Sequence, residues 1–242
     1  MNAQLEQMIA ESHRIVFFGG AGVSTERGIP DFRSADGLYR QDGDVSPETI
    51  LSRHYFVRYP ERFFRFYKEK MLCLTARPNA AHLRLAVLER EGRLSAVITQ
   101  NIDGLHQAAG SRRVLELHGS IHRNFCMDCG APYSAEYILH SGGVPRCACG
   151  GIVKPDVVLY EEPLDSAVID EAIGQLRNAD LLIVGGTSLA VWPAASLIDY
   201  FGGDRIVLIN REETRLSGRA SLIVTADIGE TLRLSPCREG TL

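Results

Sequence analysis

Hydrophobic and polar positions follow two rhythms along this chain. Short apolar runs rich in β-favouring residues occur at 15–18, 96–99, 114–117, 181–184, 206–209 and 222–224. Between several of them lie longer stretches, such as 80–90 and 166–177, with apolar residues at helical spacing. Continuous apolar runs predict strands buried on both faces, and the amphipathic stretches between them predict the covering helices. The alternation predicts an α/β fold: a Rossmann-like, doubly wound parallel sheet. Ligands on such sheets sit at the carboxyl ends of the strands.

Two segments break the alternation. Residues 31–70 read as loop and then helix, with Phe63, Phe66 and Tyr67 on one face. Residues 119–155 hold four of the six cysteines among turn-forming Gly and Pro. Both read as insertions that pack together over the carboxyl edge of the sheet. The expected division is a large part formed by 1–30, 78–118 and 156–242, and a small domain formed by 31–77 and 119–155.

Charge and composition narrow the classes. Lys/Arg and Asp/Glu are interspersed and the net charge is −4, so no electrostatic footprint for general nucleic-acid binding is present. The first residues, MNAQLEQMIAESHR, lack the features of a signal peptide, and no apolar run is long enough to cross a bilayer. A cytoplasmic protein is expected, in a compartment where cysteines serve metals or chemistry before disulfides.

Cys126-x-x-Cys129 is followed by Cys147-x-Cys149. Two thiolate pairs at this separation can close a tetrahedral zinc site, each from a tight turn. Four unrelated buried cysteines are the plainer alternative. Four thiolates leave no open position, so a metal here is structural. Cys73 and Cys237 stand alone and read as packing or surface residues.

After the run at 15–18 comes Gly19-Gly20-Ala21-Gly22-Val23-Ser24-Thr25. A strand, a glycine turn and a helix start aim backbone N–H groups at a phosphate. Thr25 stands where a third glycine would complete the dinucleotide fingerprint, so a plain tight turn fits nearly as well, and an ordinary dehydrogenase is disfavoured. Three polar stretches accompany it. They are Gly28-Ile29-Pro30-Asp31-Phe32-Arg33-Ser34, Thr99-Gln100-Asn101-Ile102-Asp103-Gly104-Leu105-His106 and Glu116-Leu117-His118-Gly119-Ser120. A histidine at a strand's carboxyl end, beside an Asn/Asp motif and a phosphate-type turn, is a candidate general base.

On these residues the chain resembles the sirtuin family of NAD-dependent protein lysine deacylases, in its bacterial single-domain form. The matching stretches are GAGVSTERGIPDFRS (20–34), TQNIDGLHQAAG (99–110), ELHGS (116–120), the cysteine quartet, KPDVVLYEE (154–162), GGTSL (185–189) and LIN (208–210). They run in family order through most of residues 1–242; Arg27 departs from the small serine of many members. The resemblance implies NAD as co-substrate and one structural zinc per chain on Cys126, Cys129, Cys147 and Cys149. It implies that Gly20, Ala21, Gly22, Thr25, Asp31 and Arg33 belong to the cofactor loop and its phosphate contacts. Gln100 and Asn101 would hold the nicotinamide ribose, while Ile102 and Asp103 would receive the nicotinamide. Phe32 would shield the reactive ribose carbon. Gly186, Thr187, Ser188, Asn210 and Ile228 would bind the adenosine half, and Val157 and Val158 would pair with a substrate peptide by strand addition.

The implied reaction is lysine deacylation, with His118, Asn101 and Asp103 catalytic. His118 would act as general base on the ribose hydroxyls. The products are nicotinamide, O-acyl-ADP-ribose and free lysine on a protein substrate. Mono-ADP-ribosyl transfer is the alternative, since a protein side chain could capture the same activated ribose. Sirtuins that favour acidic acyl chains resemble one another in a Tyr-x-x-Arg pair. Here Tyr67 is followed by Lys70, which predicts faster hydrolysis of neutral than of succinyl chains.

Overall fold

The computed structural model describes residues 2–25 and 45–233. The sequence candidates Asp31, Phe32 and Arg33, with Arg27 and Cys237, lie outside the described residues.

The six apolar runs form one sheet. Its strands are β1 (Ile15–Gly19), β2 (Leu94–Thr99), β3 (Val114–Glu116), β7 (Leu181–Gly185), β8 (Ile206–Ile209) and β9 (Leu222–Val224). They are ordered β3-β2-β1-β7-β8-β9 and every pairing is parallel. Both β1 and β7 are buried at all five positions, as a sheet covered on both faces requires. Alternate residues serve opposite layers. Ile15 and Phe17 pack with Leu5, Met8 and Ile9 of α1 (Ala3–Ala10) and with Ala81, Leu85 and Leu88 of α5 (Ala80–Arg90). Val16 and Phe18 pack against Ala172 and Leu176 of α8 (Ser166–Asn178) and against the 3-10 turn Ala194–Tyr200. Side-chain oxygens start these helices: Asn2 caps α1, Asn79 caps α5 and Asp165 caps α8.

A second, three-stranded antiparallel sheet is ordered β5-β4-β6, from β4 (Gly119–Cys126), β5 (Pro132–Tyr133) and β6 (Val153–Val157). Its core is aromatic and draws on both interrupting segments. Phe56 of α3 (Arg53–Arg58) and Phe63 and Phe64 of α4 (Pro60–Phe66) meet edge to face at 4.9–5.9 Å, beside Ile121 and Val153. Phe66 only packs at the margin of this core, whereas Phe64 is fully buried, so the aromatic face is Phe63, Phe64 and Tyr67. A π-type turn, Tyr67–Met71, follows α4 and spreads the next side chains differently from an α-helix.

Only Leu117 and His118 separate β3 of the large sheet from β4 of the small one. At Gly119 φ is +76°, and an added Cβ would lie 1.9 Å from the Asp156 carbonyl oxygen. Glycine is therefore required where the chain crosses between the sheets. No helix among the described residues is long and apolar enough to cross a membrane.

Candidate functional site

Strand order reverses at β1, which is flanked by β2 on one side and β7 on the other. Gly19, Thr99 and Gly185 stand side by side in register at the carboxyl ends of these three strands. The segments that follow, from residues 20, 100 and 186, are thus delivered to one crevice, the usual ligand position in such folds. The glycine turn is pinched against the loop after β7. Gly22 N–H donates to the Gly186 carbonyl at 2.8 Å. A Cβ on Gly22 would lie 2.8 Å from Gly186 Cα, and one on Gly20 would lie 2.8 Å from Thr187 Cβ. Two glycine-lined turns can approach this closely and side chains cannot, which leaves backbone facing the crevice.

The crevice contains two adjoining cavities. One is lined by Gly22, Thr25, Gly186, Thr187, Ser188, Asn210 and Ile228. The other is lined by Asn101, Ile102, Asp103, His118, Val157 and Val158. Ala21 and Gln100 line both. Gly20 lies behind this surface, its N–H directed to the Gly185 carbonyl at 3.3 Å. The Gln100 side-chain nitrogen is buried without a hydrogen-bond partner, although Thr187 Oγ1 donates to its oxygen at 3.4 Å. An unused amide donor between the two cavities suits a ligand oxygen there.

The polar groups of the inner cavity form a chain. Asn101 Nδ2 donates to Ser24 Oγ at 3.2 Å, and Ser24 Oγ donates to Asp103 Oδ2 at 2.7 Å. The other Asp103 oxygen accepts the Leu105 N–H at 2.9 Å. Burial pushes the Asp103 carboxyl above its ordinary value, and the Leu105 amide, the Ser24 hydroxyl and nearby His122 pull it back. Gly104, at φ +71°, leaves room for the His122 ring, which a Cβ would meet at 2.8 Å.

His118 Nδ1 lies 2.9 Å from the Gln100 carbonyl oxygen. A carbonyl can only accept, so Nδ1 carries the proton and Nε2 of the neutral ring is left as a lone-pair base. Burial lowers the His118 pKa below the ordinary histidine value, partly offset by the Gln100 carbonyl. The neutral, proton-accepting form therefore dominates at neutral pH.

Val157 pairs with Gly119 in the small sheet, and Lys154 Nζ donates to its carbonyl at 3.0 Å. Val158 N–H donates to the His118 carbonyl at 3.0 Å. Part of the backbone expected to receive a peptide is thus already committed to the protein's own chain.

The four clustered cysteines bring their Sγ atoms within 4.8 Å of one another. Three of these separations are 3.5 Å: Cys126–Cys149, Cys129–Cys147 and Cys129–Cys149. A tetrahedron of sulfurs about 2.3 Å from zinc has edges of about 3.8 Å, so the quartet is positioned to bind the ion. No open corner remains for substrate.

Sequence reading missed Ser24, the link between Asn101 and Asp103. Its position inside the glycine-turn motif was the available signal, since a buried hydroxyl there needs a partner. It also missed Val191 and Trp192, which line the inner cavity after the loop at 186–189. The inner wall further includes Lys70, Met71 and Cys73, while Tyr67 is fully buried with its hydroxyl unpartnered.

Comparison with known proteins agrees with this geometry. Residues 20–193 match the model of the Sir2 family. The NAD-dependent protein deacetylase of Clostridium acetobutylicum is 55% identical over 233 residues, 95% of each chain. That of Clostridium perfringens is 56% identical over 95% of this chain and 96% of its own. A solved structure of Sir2 with a p53 peptide and NAD+ superposes with a TM-score of 0.85 at 40% identity, covering 96% of this chain and 95% of the other. A second, of Sir2 with a deacetylated p53 peptide and 3′-O-acetyl ADP ribose, gives 0.88 at 40% identity, covering 95% and 94%. The match over most of the chain, and the relatives' identity of 55% and 56%, show that this chain, with its doubly wound sheet, pinched glycine turn and cysteine quartet, belongs to the Sir2 family.

Proposed function

We propose that this protein is an NAD-dependent protein lysine deacylase, releasing nicotinamide, O-acyl-ADP-ribose and the free lysine of its target. The observation that carries the reading is His118. Its Nδ1 is bonded to the Gln100 carbonyl, and it lines the same cavity as Asn101 and Asp103. A site for binding alone needs no such base. The relatives' name, NAD-dependent protein deacetylase, points the same way.

In this reading the outer cavity takes the adenosine half of NAD against Gly186, Thr187, Ser188, Asn210 and Ile228. The glycine turn at Gly20, Ala21 and Gly22, with Thr25 and Arg33, takes the phosphates, and Asp31 belongs to the same cofactor loop. Gln100 and Asn101 hold the second ribose, and Ile102 and Asp103 hold the nicotinamide. Bound NAD supplies an electrophilic ribose carbon once nicotinamide leaves. Phe32 would shield that carbon until the acyl-lysine amide oxygen bonds to it. His118 Nε2 would then accept a proton from a ribose hydroxyl whose oxygen bonds to the acyl carbon, the acyl–nitrogen bond breaking to free the lysine amine and water completing the O-acyl-ADP-ribose. Val157 and Val158 line the channel for the acyl-lysine peptide. Cys126, Cys129, Cys147 and Cys149 hold one structural zinc. The large part (1–30, 78–118, 156–242) binds NAD, and the small domain (31–77, 119–155) closes over it. The p53 peptides in related Sir2 structures support a protein-lysine substrate. A reduced cysteine quartet fits the cytoplasm.

Incubation with NAD and an acetyl-lysine peptide tests the reading. Nicotinamide release and peptide deacetylation should appear together and only when both reagents are present. Transfer of ADP-ribose to protein without deacetylation would overturn it.

A further inference from the structure

Trp192 is the only tryptophan of the chain and is 64% exposed. It lines the cavity that holds Asn101, Asp103 and His118, and its neighbour Val191 borders both cavities. The ring is held in place. The Arg215 guanidinium lies 5.3 Å from its centroid. That guanidinium donates to the Ala195 carbonyl and pairs with Asp199 at 3.3 Å. Leu189, Ala194 and Ala195 bury this loop in the core below, so anchoring the loop does not require the tryptophan. A large indole kept in water at the rim of a substrate cavity forgoes burial that a partner can supply.

We propose that Trp192 is a specificity-determining platform for the residue beside the acyl-lysine, taking an apolar side chain such as leucine. The proposal rests on the deacylase reading. Arg215 already places a cation on the ring, which disfavours a second one. Asp199 is shared between Arg215 and Arg219, the latter at 3.0 Å, so one positive charge is left over, but these groups are open to water, which screens its attraction for an acidic residue. Apolar contact is the remaining source of preference. Tyr160, 37% exposed and lining the same cavity, widens the apolar rim.

Two measurements test this. The first uses acetyl-lysine peptides with leucine or glycine at each of the two positions before and after the lysine. The wild type should favour leucine at one position by about fivefold in kcat/KM, expressed in KM. Trp192→Ala should bring that ratio near one, and Trp192→Phe should keep most of it. A ratio within one enzyme is unaffected by general damage to the variant. The second measurement follows tryptophan emission, which reports only Trp192. Without NAD, the preferred leucine peptide should shift emission to shorter wavelength more than its glycine counterpart. A ratio that survives Trp192→Ala, or emission indifferent to the flanking residue, would overturn the proposal. An emission response without turnover in the presence of NAD would retain the platform and sink deacylation. Turnover with no flanking preference would do the reverse.

Discussion

The hydroxyl of Ser24 donates a 2.7 Å hydrogen bond to the carboxylate of Asp103, joining two loops 79 residues apart in sequence. Ser24 also accepts from Asn101, so one buried oxygen fixes two side chains of the inner cavity. Ser24→Ala leaves both without that partner and lets burial raise the Asp103 carboxyl further. It should lower kcat/KM for NAD about tenfold or more, with a small change in melting temperature. Wild-type kinetics in the variant would show that this bond does not position the site.

His118 should separate the two halves of the reaction. His118→Ala should abolish product release while nicotinamide exchange into NAD with acyl-peptide present survives. Asn101→Ala should damage both. In the wild type the rate should stay level near neutral pH and fall only below the ordinary histidine range, because burial lowers the His118 pKa. Full deacylation by the His118 variant refutes the assignment.

A third prediction concerns the cysteine quartet. Purified without chelator, the protein should carry one zinc per chain by elemental analysis, and Cys129→Ser should lose it. Small-sheet stability should go with it, because the ion ties the turn after β4 to the turn before β6. Metal-free protein of undiminished stability would rule out a structural ion.

His106 gives a pH-dependent stability. Both ring nitrogens are buried without partners, and the ring packs on His82 and Phe17 at 4.6 and 5.9 Å. Burial, and then the neighbouring His82, holds its pKa well below the ordinary value. Below about pH 6.5 the unfolded chain binds a proton here that the native state does not. Stability is therefore full above that pH and is lost as pH falls, by at most about 1.4 kcal/mol per unit. Urea midpoints at about pH 7.5 and about pH 5.5 should differ less in His106→Leu than in the wild type. Equal differences would mean that another group sets the slope.

Acyl preference tests Lys70. Its Nζ pairs with Glu69 at 3.1 Å while its side chain lines the inner cavity. Tyr67 is buried apart from that wall, so the pair does not form a fork for a carboxylate. Acetyl-lysine should exceed succinyl-lysine in kcat/KM on one peptide, and Lys70→Arg should narrow the gap. A clear succinyl preference would contradict the argument.

The sheet was legible because its inner strands are buried on both faces and read as uninterrupted apolar runs, while the partly exposed edge strands β3 and β9 carry apolar runs short enough to be read the same way. β7 spans Leu181–Gly185, one residue beyond the run, and β3 stops at Glu116, one short of it. The Asn/Asp motif, the candidate base and the cysteine cluster were legible as features because each is local in sequence. The Ser24 bond and the Trp192 rim were not, since both depend on packing between distant segments. Helical spacing alone allows Phe63 and Tyr67 to share the apolar face with either Phe64 or Phe66, and only packing against the distant Phe56 selects Phe64.

His118 occupies the two-residue span between the large and small sheets, with the sterically locked Gly119 behind it. Any rotation of one sheet against the other must be absorbed in part by the torsions of Leu117 and His118. The histidine proposed as the base therefore sits at the join, where a turn of one sheet reaches its ring through the backbone alone.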